Sequence, residues 1–166
     1  TQEITITITG TNDVPSIAGS STASIEEGVT SITGSVTVTD TDGGESKASA
    51  ETDTQATYGT FSVSESGTWT YDLNNNLTAV DSLAVGDELT DTVTITSADQ
   101  SETKDITIKI TGTNDVPVIT SASSEELGTV TEDGTITASG DLDITDVDGS
   151  TEAVFVAQTA TSIAKD

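Results

Sequence analysis

Apolar and polar residues alternate without a break from Ile4 to Thr9, and the same alternation returns from Ile106 to Thr111. A period of two places one set of side chains on each face of a pleated strand, and Ile, Val and Thr suit that half-buried surface. Comparable tracts predict strands over 16–25, 31–39, 47–57, 90–97 and 103–111. The clearest local element is a hairpin over 59–64 and 68–73. Phe61 and Val63 alternate with Ser on the way out, Ser66-Gly67 supplies the turn, and Trp69, Tyr71 and Leu73 alternate on the return. That face is read as core, so the chain is expected to be all-β.

The tracts recur. The run Ile4 to Pro15 returns as Ile106 to Pro117 at an offset of 102 residues, as Thr11 against Thr113 shows. Val36-Thr37-Val38-Thr39-Asp40-Thr41-Asp42-Gly43 returns as Leu142-Asp143-Ile144-Thr145-Asp146-Val147-Asp148-Gly149 at an offset of 106, as Asp40 against Asp146 shows. A repeat of about 100 residues made of short strands and turns has the size of an immunoglobulin-like Greek-key sandwich. Residues 1–10 are then expected to be the terminal strand of a preceding repeat, 11–112 a complete repeat, and 113–166 the N-terminal half of the next. This second, incomplete sandwich leaves Val118, Ile119, Leu142, Ile144, Val154 and Phe155 without a facing sheet. Residues 4–9 are an orphan strand, for which strand exchange with another copy is expected.

Charge narrows the chemistry. There are 29 acidic residues against 4 basic ones, a formal charge of −25, and no His, Cys or Met. Imidazole bases, thiolate nucleophiles, nitrogen- or sulfur-ligated zinc and disulfides are therefore excluded. So negative a surface repels phosphate backbones, which argues against nucleic acid, and no apolar run suits membrane insertion. High charge with few large apolar residues is also a signature of disorder, which metal neutralisation would offset. The natural partners are cations.

Thr-Asn-Asp-Val-Pro falls where one repeat becomes the next, and its proline makes a short, stiff junction. In a Greek-key sandwich the B–C and F–G loops share the end where the chain enters, and the A–B and E–F loops share the other. Asp40, Asp42 and Asp99 should therefore gather beside Asn12 and Asp13. Glu26, Glu27, Asp87, Glu88 and Asp91 should gather at the far end beside Asn114 and Asp115, where the next repeat presents Asp146 and Asp148. Carboxylates in such numbers without Lys or Arg partners call for a hard divalent cation. Ca²⁺ accepts six to eight oxygens in flexible geometry and is preferred to Mg²⁺. Asp-x-Asp-Gly alone is a common turn; its recurrence in both repeats, at places the topology brings together, favours a metal site.

Other chemistries fit less well. The EF-hand spacing fails, because Gly44 and Ser150 occupy its third ligand position. Trp69 and Tyr71 could stack a sugar, yet alternating aromatics in a hairpin of so aromatic-poor a chain belong to the core. A glycosidase needs two carboxyls in a cleft, and serine needs a base to activate it. Asn76-Leu77-Thr78 is a formal glycosylation sequon only.

The ordered set Thr-Gly-Thr-Asn-Asp-Val-Pro, Val130-Thr131-Glu132-Asp133-Gly134, Thr145-Asp146-Val147-Asp148-Gly149, Tyr58-Gly59-Thr60-Phe61, Gly67-Thr68-Trp69-Thr70-Tyr71, Leu89-Thr90-Asp91 and Thr96-Ser97-Ala98-Asp99 resembles the VCBS-type, cadherin-like repeats of large bacterial (RTX-type) surface adhesins. The linker is similar to the Asp-x-Asn-Asp-x-x-Pro junction of animal cadherins. The resemblance implies tandem immunoglobulin-like domains, exported to the extracellular bacterial cell surface, forming a non-enzymatic extender. Calcium would rigidify its inter-domain junctions in support of cell adhesion and biofilm formation. The partners implied are calcium and adjacent repeats of the same chain. The sequence departs from the pattern at Asp99-Gln100, where the family has Asp-Gly. The alternative is a carbohydrate- or protein-ligand-binding β-sandwich module of a secreted protein.

Overall fold

The computed structural model describes residues 2–121, 128–134 and 137–157. Strands β1 (Ser16–Gly19), β3 (Ser31–Thr39), β4 (Glu51–Gln55), β5 (Gly59–Val63) and β6 (Thr68–Leu73) form a five-stranded sheet in the order β1-β3-β6-β5-β4. Strands β2 (Thr22–Glu26), β7 (Glu88–Thr96) and β8 (Thr103–Thr111) form a second, ordered β2-β8-β7. The pairing is antiparallel except for β2 with β8, which run parallel from Thr22↔Thr107 to Glu26↔Thr111. The fold is an all-β sandwich, as the alternation predicts.

Its core lies between the sheets. The inward positions of the predicted hairpin, Phe61, Val63, Trp69, Tyr71 and Leu73, face Val93 and Ile95 of β7 and Ile106, Ile108 and Ile110 of β8, all buried. Trp69 is only 4 % exposed, which removes it as a sugar-stacking platform. Its ring lies over Gly34, its partner in the β3–β6 register, where a Cβ would stand 2.2 Å from Trp69 Cζ2.

Three elements differ from the pattern-based expectation. The predicted first strand is two: at Gly19, φ +134°, the chain leaves one sheet and crosses to the other. A side chain there would clash with the Ser35 carbonyl at 2.9 Å, so glycine is required. The third strand is shortened to Glu51–Gln55 because its start pairs elsewhere: Ala48 bridges Ser97, and Ser49 N–H donates to Thr96 O at 2.8 Å, joining the second sheet. A single-turn helix, α1 (Thr78–Asp81), follows β6 and seals that end with Val80 and Leu83.

Two-stranded pairing reappears after the linker. β9 (Val118–Ile119) pairs with β10 (Ile144–Thr145) as Val118↔Thr145 and Ile119↔Ile144. Shifted by the two repeat offsets, these are the β1–β3 pairs Ser16↔Thr39 and Ile17↔Val38. Val118, Ile119, Leu142, Val154 and Phe155 are exposed. At the other end, residues 2–10 have no ladder, and Ile4, Ile6 and Ile8 are 80–90 % exposed.

Candidate metal centres at the two ends of the sandwich

At the entry end, β3 runs out at Thr39 into an acidic turn. Asp42 N–H donates to Asp40 Oδ1 at 2.8 Å, a self-capped turn of the kind short carboxylates favour. The Ser46 hydroxyl closes it from behind, accepting from Asp40 N–H and donating to Asp40 O. The linker is then tied down: Asp13 N–H donates to Asp42 Oδ2 at 2.7 Å, and Asn12 Nδ2 to Asp99 Oδ2 at 3.1 Å. Carboxylate oxygens of Asp40, Glu45 and Asp99 come within 4.8 Å of one another. Hydrogen bonds from the Ser101 and Ser97 hydroxyls and from Asn12 hold Asp99 well below its ordinary pKa, so it stays anionic.

At the exit end the carboxylates come from the β2–β3 turn, from α1 and from the next linker. Thr113 N–H donates to Glu27 Oε2 at 3.1 Å, and oxygens of Glu27, Asp81 and Asp115 lie within 4.8 Å of one another. Asp115 N–H donates to Asp148 Oδ2 at 2.6 Å, and Asp148 N–H to Asp146 Oδ1 at 3.0 Å. These are the contacts of Asp13, Asp42 and Asp40, bond for bond, in the second repeat. Asn114 Nδ2 likewise reaches Asp115 O as Asn12 Nδ2 reaches Asp13 O. Burial raises the pKa of Glu27 against the opposing Thr113 hydrogen bond, with the charges of Asp115, Asp148 and Asp81 adding to it. Asp115 is raised by burial and by Asp148, Asp81 and Asp146.

Among the described residues, buried oxygens without a hydrogen-bond donor mark both clusters. They are Asp40 Oδ2 and Glu45 Oε2 at the entry, and Asp115 Oδ2, Asp146 Oδ2 and Asp148 Oδ1 at the exit. An acceptor held from water without a partner is costly, and a carboxylate more so. Among the described residues no lysine pairs with these oxygens: the ion pairs are Lys47 with Glu65 at 3.5 Å and Lys109 with Glu88 at 2.6 Å. The donor set is oxygen only, multidentate and drawn from several loops, which fits Ca²⁺.

The other expected ligands are placed elsewhere. Glu88 is occupied by Lys109, while Glu26 and Asp87 are exposed and outside the two groups. Asp91 is corrected outright: it is 3 % exposed, and its Oδ2 accepts from Tyr71 Oη at 2.8 Å and Tyr58 N–H at 2.9 Å. It shares the parity of Val93 and Ile95 along β7, which points it inward. Two members were missed. Glu45 follows Asp40 by five residues within one acidic turn, and Asp81 ends a helix signalled only by the spacing of Leu77, Val80 and Leu83.

Comparison with protein-family models matches residues 12–112 to the bacterial cadherin-like domain. The chain belongs to that family. A search of curated proteins gives no match. The matched span begins at Asn12, the first linker residue that reaches the entry cluster, and ends one residue before Thr113, which reaches the exit cluster. A bacterial cadherin-like domain is an extracellular, adhesion-type module with an immunoglobulin-like fold, and such domains often bind Ca²⁺. Among the described residues no helix is long and apolar enough to cross a membrane.

Proposed function

We propose that this cadherin-like domain is a non-catalytic spacer in a tandem array on a bacterial cell-surface adhesin, rigidified by Ca²⁺ at each junction and supporting attachment and biofilm formation. The observation that carries the reading is the set of five buried, donor-less carboxylate oxygens, divided between the two linkers. Asp40, Glu45 and Asp99 would hold the ion at the entry, with Asp42 orienting the linker through Asp13. Glu27, Asp81 and Asp115 would do so at the exit, with Asp146 and Asp148 supplied by the following repeat. Bound Ca²⁺ neutralises the crowded carboxylates and cross-links the linker to the loops on either side of it. Residues 2–10 then take, in a preceding repeat, the place that β8 takes here, since Ile4, Ile6 and Ile8 correspond to the fully buried Ile106, Ile108 and Ile110. Burial of Trp69 and Tyr71 disfavours the ligand-binding alternative.

A calcium titration read by thermal unfolding and small-angle scattering tests this. At a hundredfold excess over Kd each site adds about 2.7 kcal/mol, and the maximum dimension increases as the junction straightens. A melting temperature and radius of gyration unchanged by chelator would refute the proposal.

A further inference from the structure

We infer that Asn75, which is not itself a ligand, is the positioning residue that sets the distance between Glu27 and Asp81 before calcium arrives; this rests on the calcium reading above. The two carboxylates belong to separate segments. Glu27 lies in the turn after β2, where Val29 N–H donates to Glu26 O and Gly28 takes φ +80°. Asp81 ends α1, which follows β6 through the turn at Asn74–Leu77. Like charges at this separation repel, so something must hold the segments together in the metal-free protein.

The Asn75 side chain spans the gap. Its Oδ1 accepts from Gly28 N–H at 3.0 Å and its Nδ2 donates to Val29 O at 3.0 Å. One primary amide thus performs both halves of a strand rung, satisfying a donor and an acceptor on consecutive residues of the turn that carries Glu27. Its own segment is anchored on the other side: Asn74 N–H donates to Tyr58 O at 2.9 Å, Leu77 N–H to Asn74 O at 3.1 Å, and Val80 is fully buried. Asparagine is suited to this place chemically. It adds no charge to the cluster, whereas aspartate would add one and lose the bond to Val29 O.

The test uses the intact chain and NMR. In wild type, the amides of Gly28 and Thr113 report calcium at the exit, and those of Gly44 and Gln100 report it at the entry. Asn75→Ala is expected to weaken exit binding about 10- to 100-fold, as loss of an outer-shell partner does, with entry binding unchanged. A purely structural role would lower both together. Equal exit affinity in wild type and Asn75→Ala overturns the inference alone; no calcium response at Gly28 and Thr113 in wild type overturns the calcium reading and this inference with it. Should Asn75→Ala fail to fold, amide exchange of chelator-treated wild type decides: Gly28 N–H exchanges slowly if Asn75 holds the turn without metal, and unprotected exchange refutes it.

Discussion

The hydroxyl of Tyr71 donates a 2.8 Å hydrogen bond to Asp91 Oδ2 inside the sandwich, joining the five-stranded sheet to its three-stranded partner through one buried polar contact. Burial raises the Tyr71 phenol far above its ordinary pKa, and the bond to Asp91 and its charge add to this. Burial alone would raise Asp91 as well. Donation from Tyr58 N–H, Tyr71, Thr57 and Thr92 N–H outweighs it, so the carboxyl is held below its ordinary value.

Tyr71→Phe should therefore cost about 1.5–3 kcal/mol, the usual worth of a hydrogen bond to a charged group, as read by urea unfolding. A loss under about 0.5 kcal/mol would show that water replaces the hydroxyl.

The depressed pKa of Asp91 fixes the sign of a pH effect. Its contribution to stability is present above the unfolded pKa and is lost as pH falls through the lower folded one. Stability measured across the acid range should fall less steeply in Asp91→Asn than in wild type, after its lower starting value is allowed for. Parallel slopes would contradict this.

Gly34→Ala should destabilise by roughly 1–3 kcal/mol, because the added Cβ overpacks a filled core against the Trp69 indole. Tryptophan emission reports it directly, since Trp69 is the chain's single tryptophan. A red shift is expected in the folded variant, and an unchanged spectrum with unchanged stability would refute the steric account.

Much of this architecture is legible in the chain, and the exceptions have definite causes. Strict alternation locates β3, β5, β6 and β8, because a one-residue slip would turn every inward side chain to solvent. It does not reveal the crossing at Gly19 or the sheet switch near Ala48, which depend on tertiary pairing. The repeat and loop topology bring Asn12, Asp13, Asp42 and Asp99 together, and likewise Glu27, Asp115 and Asp148. Glu45 and Asp81 escape because loop acids have no periodicity, whereas Asp91 is betrayed by its parity with Val93 and Ile95.

Glu27 and Asp115, both raised, make the exit cluster respond to acid in the opposite sense to Asp91. Their contribution to the metal-free fold is fully present below the unfolded pKa and is lost as pH rises through the folded one. If calcium binds there as proposed, it must displace those protons, so its exit affinity should fall as the solution is acidified from neutral toward the raised folded pKa values. An isothermal titration series in which acidification leaves the affinity unchanged would count against these residues as ligands.

Replacing Asp146 and Asp148 with Asn should loosen the junction and leave the first sandwich folded, since neither side chain belongs to its core. Scattering should show a lower maximum dimension in calcium, with the melting transition of the first sandwich retained. Loss of that transition would mean the two repeats fold as one unit.

The parallel pairing of β2 with β8 has a mechanical consequence. Tension along the chain pulls β2 back toward the entry linker and β8 forward toward the exit linker, in opposite directions along one shared ladder. The rungs from Thr22↔Thr107 to Glu26↔Thr111 are then sheared together and cannot open one after another like a zip. A strand order suited to burying Ile106, Ile108 and Ile110 between two neighbours thereby also sets the β2–β8 rungs in shear against extension of the chain.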